Sequence, residues 1–97
     1  MKIYYVDIDE TICTTPSTRK YEDAQPIKEN IEKINRIYDL GHTVVYWTSR
    51  GSRKQINWYD LTKKQLDSWG AKYNELRVDK PYYDIFVDDK TLRIEEL

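Results

Sequence analysis

The amino-acid sequence predicts an α/β fold, a parallel sheet in a three-layer α/β/α arrangement, and two observations carry that expectation. Short β-branched and aromatic runs alternate with amphipathic helical patterns in the order strand, helix, strand, helix, strand, and such alternation implies right-handed crossovers. Three of the apolar runs stop at polar clusters, Asp7/Asp9/Thr11, Thr48/Ser49 and Asp88/Asp89. Open α/β sheets bind ligands at the carboxyl ends of their strands, so these clusters are expected to converge on one site.

The elements follow in order. Ile3-Tyr4-Tyr5-Val6 is a continuous apolar run ending at Asp7, which suits a strand covered on both faces. Residues 10–25 dissolve into Thr, Ser, Pro and charged side chains and read as a loop. Pro26 stands where a first helical turn tolerates proline. Ile27, Ile31, Ile34 and Ile37 then recur at spacings of three and four, one apolar stripe that ends at Leu40-Gly41. Thr43-Val44-Val45-Tyr46-Trp47 reads as a second buried strand. A second helix is expected from Gln55 or Asn57 to Trp69, with Ile56, Tyr59, Leu66 and Trp69 on its apolar side and Gly70 as its stop. Leu76-Arg77-Val78 reads as a short strand, Ile85-Phe86-Val87 as a clearer one, and Thr91-Leu92-Arg93-Ile94 as an edge strand.

Composition bounds the function. The 97 residues make one domain, 1–97, near the lower end of what buries a core unaided. Sixteen Lys+Arg against 17 Asp+Glu leave a net charge of −1, which argues against a broad nucleic-acid surface. The lone Cys13 cannot form an intramolecular disulfide. An acidic residue at position 7 arrives too early for a signal peptide, and no run is long enough to span a membrane. A soluble, cytoplasmic, reducing setting is therefore expected, with no membrane partner.

The acids carry the chemistry. Asp7 and Asp9 lie two apart at a strand end, so their side chains are expected on one side, and two carboxylates so close repel unless a cation or proton relieves them. Asp88 and Asp89 add charge to the same edge. Oxygen ligands without His or Cys partners select a hard cation, and Mg²⁺ is the abundant one. Taken singly, DxD and DD also occur as solvated acidic turns.

Asp7-Ile8-Asp9-Glu10-Thr11 after IYYV resembles the first motif of the haloacid dehalogenase superfamily, DxDx[TV] behind an apolar strand. Thr48 closing VVYW resembles the second motif, Lys80-Pro81 the third, and Asp88-Asp89 after IFV the fourth. The order is right and nearly the whole chain is covered. The resemblance implies a minimal Rossmann-like core and a role for each residue. Asp7 would be the nucleophile, forming an aspartyl-phosphate. Asp9 would protonate the leaving oxygen and then activate water; an acid at that position marks the phosphatases and phosphotransferases of the superfamily. Asp7, Asp88 and the Asp9 backbone carbonyl would hold Mg²⁺, with Asp89 a ligand through water or an orienter of Lys80. Thr48 would donate to the phosphoryl group and Lys80 would pair with it and with Asp7. Ser49 and Arg50 would contact substrate.

The intervals 12–25 and 51–79 leave no room for the cap insertions with which superfamily members choose substrates. An open site follows, taking a large substrate end or a small one covered by another subunit of a homo-oligomer. WTSRG, the intact KP and the DD ending look most like small capsule- or surface-polysaccharide biosynthesis phosphatases, which implies a sugar or polyol phosphate. Two other readings stay open: a nucleotide or polynucleotide-end phosphatase using Trp58, Tyr82 and Tyr83 for stacking, and a non-catalytic phosphate- or Mg²⁺-binding module. Individually, Thr48 reads equally as a strand-end hydroxyl, Lys80 as a solvated lysine, and Arg50, Arg53 and Lys54 as a solvated helix start. His42 reads as a surface or packing residue, Cys13 as an inert thiol.

Overall fold

The structure, a computed structural model, describes residues 1–50 and 58–97. Strand β1 (Ile3–Val6) leads through a loop containing a single 3₁₀ turn to helix α1 (Lys28–Asp39). Strand β2 (Thr43–Trp47), helix α2 (Tyr59–Ser68) and strand β3 (Glu75–Arg77) follow, and a 3₁₀ turn over Ile94–Glu96 ends the chain. The three strands form one parallel sheet in the order β1-β2-β3, with Val6 opposite Tyr46 and Trp47 opposite Arg77. This is a minimal Rossmann-like α/β fold.

The helices form where the sequence places them, and for the expected reasons. Ile31 and Ile34 of α1 are buried, and Gly41 takes the left-handed φ of 94° that lets the chain turn back into β2. Leu66 is the buried apolar anchor of α2, and Gly70 (φ 74°) closes it. The start expected at Gln55 or Asn57 lies outside the described residues, as do Ile56, Gly51, Arg53 and Lys54. Pro26 precedes α1 rather than opening it, because residues 26 and 27 are drawn into pairing with the loop: Pro26 bridges Cys13, and the Ile27 N–H donates to the Ile12 carbonyl at 2.8 Å.

One cluster forms the core: Val6, Ile8 and Ile12 from the first segment, Ile31 and Ile34 from α1, Val44 and Tyr46 from β2, Leu66 from α2 and Leu76 from β3. Both helices thus pack on the face carrying Val6, Val44 and Tyr46, as successive right-handed crossovers in the order 1-2-3 require. Strand β1 is not covered on both faces as its apolar run suggests; Ile3 is 68% and Tyr5 52% exposed.

Two expected strands do not form. Ile85-Phe86-Val87 has no ladder partner among the described residues, and Ile85 and Val87 stand 81% and 91% exposed. The physical reason lies beside it. The rings of Tyr83 and Phe86 pack on each other, 5.3 Å between centroids, and both gather around the Lys80 ammonium, so the segment is held by its side chains and not laid into a sheet. Residues 91–94 likewise give no edge strand; Ile94 packs against the core and its carbonyl accepts from Lys33 Nζ at 3.3 Å, which starts the final turn instead.

Candidate active site

The site lies where β1 and β2 end. Just after β1 the chain reverses: Glu10 takes a left-handed φ of 64°, an unfavourable state for a non-glycine residue. It is fixed by its N–H to the Cys13 carbonyl at 2.8 Å and by its carboxylate, which accepts the Thr15 N–H at 2.9 Å. The two acids, whose side chains the spacing places on one side, diverge. Asp7 stays at the sheet edge, while Asp9 turns toward the loop and α2.

Each carboxylate has its own cation. Lys80 Nζ lies 3.8 Å from Asp7 Oδ1, and the Lys80 N–H donates to the Thr48 carbonyl at 3.2 Å, so the segment after β3 is tied to the end of β2. Lys80 is 8% exposed. Its ammonium sits 5.1 to 5.8 Å from the ring centroids of Tyr83, Trp47 and Phe86, an aromatic surround that stabilises a cation partly removed from water. Desolvation pushes the Asp7 pKa above the usual carboxylate range, with Lys80 and a hydrogen bond from the Ile8 N–H opposing it and the charge of Asp9 adding to it.

Arg50 takes the other acid. Its Nε donates to Asp9 Oδ2 at 3.0 Å and its Nη2 to Asp9 Oδ1 at 2.8 Å, a two-pronged pair with the guanidinium fully buried. The expectation that Arg50 contacts substrate is therefore corrected: its side chain is 0% exposed and committed to Asp9, Thr62, Gln65 and the Tyr21 ring. Burial and hydrogen bonding to a carboxylate outweigh any pull toward solvent. Cys13 lies alongside, its Sγ 3.5 Å from Asp9 Oδ1, and burial pushes its thiol pKa up to about 12. Buried, the thiol keeps its proton.

Thr48 is buried at the end of β2, and its hydroxyl accepts the Arg50 N–H at 3.2 Å, bracing the turn that carries Arg50 inward. Ser49 is half-buried between them. Asp88 lines the same cleft, about 1050 Å³, as Asp7, Lys80, Trp47, Tyr83 and Phe86. Its carboxylate accepts the Lys90 N–H at 2.8 Å, and this bond holds its pKa below the usual range. Asp89 sits exposed in that turn. Among the described residues, no three His, Cys, Asp or Glu side chains gather closely enough to hold a metal ion. The donors facing the cleft, Asp7 and Asp88, are nonetheless hard oxygens of the kind Mg²⁺ takes. Of the aromatics considered for stacking, Tyr83 lines the cleft, whereas Trp58 packs edge-on against Tyr21, 5.1 Å between centroids. His42 is structural, accepting the Lys2 N–H at 3.0 Å and packing on Tyr4.

Thr62 and Gln65 are the residues that sequence reasoning missed. They lie beside Leu66 on the inward side of α2 and are buried although polar, whereas Tyr59, expected on that side, is 38% exposed. A polar interruption of an apolar helix face is the signal that could have found them, since buried polar groups take partners.

No protein-family model matches the chain, and no curated protein matches it. Its structure is similar to the crystal structure of a target protein from Vibrio cholerae, with a TM-score of 0.88 and 27% identity over 99% of this chain and 86% of that one. That likeness carries the α/β fold through the whole length. No helix among the described residues is long and apolar enough to cross a membrane.

Proposed function

We propose that the chain is a phosphomonoester hydrolase of the haloacid dehalogenase type, working through an aspartyl-phosphate on Asp7. One observation carries the reading: two carboxylates two residues apart at a strand end are divided between two cations, with Asp7 and Lys80 facing an open cleft and Asp9 and Arg50 behind it. Such a division suits a phosphate monoester, with one carboxylate at the cleft and one behind it. Asp7 attacks phosphorus as the bond to the leaving oxygen breaks; Lys80, one loose contact away, balances the charge of both anions. Asp9 serves the leaving oxygen and the water that later cleaves the intermediate. Thr48 anchors Lys80 through its carbonyl and offers a hydroxyl at the strand end.

Mg²⁺ fits the donor chemistry, with Asp7, Asp88 and the Asp9 backbone carbonyl as the groups that would hold it; when bound it neutralises charge on the phosphate. Asp89 would act at one remove. The uncapped cleft and its aromatic wall suit a sugar or polyol phosphate, and a cytoplasmic location suits both such a substrate and a reduced Cys13. The reading is tested by phosphate release from a panel of phosphate esters, with and without Mg²⁺. Release that depends on Mg²⁺ and is lost in Asp7→Asn is expected. Failure on every ester in a broad panel would leave a phosphate-binding module in its place.

A further inference from the structure

Arg50 has five N–H donors, and all five have acceptors within the protein. Nε and one Nη2 proton go to the two oxygens of Asp9, at 3.0 and 2.8 Å. The other Nη2 proton faces Cys13 Sγ at 3.9 Å, and Nη1 donates to both Thr62 Oγ1 and Gln65 Oε1. The Tyr21 ring lies 4.7 Å beneath the guanidinium carbon. The supports are themselves fixed: the Thr62 hydroxyl donates to the Trp58 carbonyl and Gln65 Nε2 to the Tyr21 carbonyl, each at 2.7 Å. No N–H is left for a phosphate. The whole assembly acts on Asp9.

The two carboxylates are held very differently. Asp7 Oδ1 meets Lys80 at 3.8 Å and accepts the Ile8 N–H at 2.9 Å, and the Asp7 side chain is 42% exposed toward the cleft. Asp9 is gripped by a planar fork whose far side is nailed to α2. A carboxylate held through both oxygens by a planar guanidinium keeps one orientation.

We propose that Arg50 is a positioning residue for Asp9, holding it as the base that lines up water in the second half-reaction; this rests on the phosphatase reading above. In that step the water oxygen bonds to phosphorus, the phosphorus–oxygen bond to Asp7 breaks, and its electron pair returns to the Asp7 carboxylate. The water proton passes to the second lone pair of Asp9 Oδ2, whose other lone pair accepts from Arg50 Nε, and both oxygens stay on the fork. Inorganic phosphate leaves, and Asp9 returns its proton to solvent.

The test uses 4-nitrophenyl phosphate, whose leaving group needs no proton, so the first half-reaction bypasses any acid. In Arg50→Met and Arg50→Lys, kcat falls on the order of 10²-fold while kcat/KM holds, KM drops in proportion, and acid-quenched samples accumulate phosphorylated Asp7. Gln65→Met, which leaves Arg50 in place but removes one anchor, gives the same split to a smaller degree and keeps the test readable if the Arg50 variants fail to fold. Equal falls in kcat and kcat/KM without accumulation would reduce Arg50 to a structural residue and overturn the proposal, as would an unchanged kcat. Wild-type protein that hydrolyses the ester without ever phosphorylating Asp7 would instead overturn the reading beneath it.

Discussion

Replacing Arg50 by Met tests the fold's dependence on the clamp. The substitution keeps the length of the stem and removes five donors. It strands the Asp9 carboxylate, Thr62 Oγ1 and Gln65 Oε1, which accept from the guanidinium in the native protein. Removing one member of a buried ion pair costs about 3–5 kcal/mol, because the remaining charge stays without a partner. The Arg50 side chain is 0% exposed but that of Asp9 is 26% exposed, so water relieves part of the loss and the lower end, about 3 kcal/mol, applies. For a domain of 97 residues each kcal/mol moves Tm by about 4–8 °C, giving a drop of roughly 12–24 °C. Urea unfolding followed by tryptophan fluorescence reads it directly, with the midpoint shifted and the slope unchanged. Asp9→Asn combined with Arg50→Met should destabilise by clearly less than the two single changes summed, since they share one interaction. A loss below about 1 kcal/mol, the value of an exposed pair, or strict additivity in the double variant, would refute the argument that this pair is a buried clamp.

Other expectations follow from single residues. Tyr46 is fully buried and, among the described residues, its hydroxyl has no hydrogen-bond partner; Tyr46→Phe should therefore hold or raise stability, by about 1 kcal/mol, and a clear loss in a urea melt would show a partner. The Cys13 thiol, pushed from its ordinary value near 9 up to about 12, keeps its proton in the folded state while the unfolded chain loses it. Its contribution to stability is present below pH 9 and lost between pH 9 and about 12; Cys13→Ala should flatten that part of the stability–pH curve, and an unaltered curve would contradict the burial. The native thiol should also resist iodoacetamide at mildly alkaline pH until the chain is unfolded. Lys80→Met should lower kcat/KM for a phosphate ester by on the order of 10²–10³-fold, as for loss of one electrostatic donor, and an effect under tenfold would take Lys80 out of the site.

The sequence made the fold legible where local pattern and tertiary need agree. The Ile31 and Ile34 stripe, the β-branched run into Trp47 and the glycines at 41 and 70 each specify their element without outside help. The meeting of Asp7 with the end of β2 was legible too, because strand ends of a parallel sheet share one edge; Lys80 beside Asp7 was legible only through the resemblance of Lys80-Pro81 to a family motif. Ile85–Val87 shows the limit. Its composition is that of a strand, but strand formation depends on an available neighbour and on which face is covered, and the rings beside it are drawn to Lys80. Arg50 shows another. From the sequence it belongs to a basic cluster facing solvent; its burial depends on Thr62 and Gln65, twelve and fifteen residues later, which turn a polar pocket of α2 toward it. The divergence of Asp7 and Asp9 goes with Arg50 binding Asp9 beside α2, which the spacing of the two acids does not announce.

The account turns on Asp7 as nucleophile. Protein mixed with a phosphate ester in Mg²⁺ buffer, quenched in acid within the first turnover and digested for mass spectrometry, should show one phosphoryl group on the peptide carrying Asp7, labile to alkali and absent from Asp7→Asn. Phosphate release that continues in Asp7→Asn, or turnover with no phosphoryl group on Asp7 at any quench time, would contradict it.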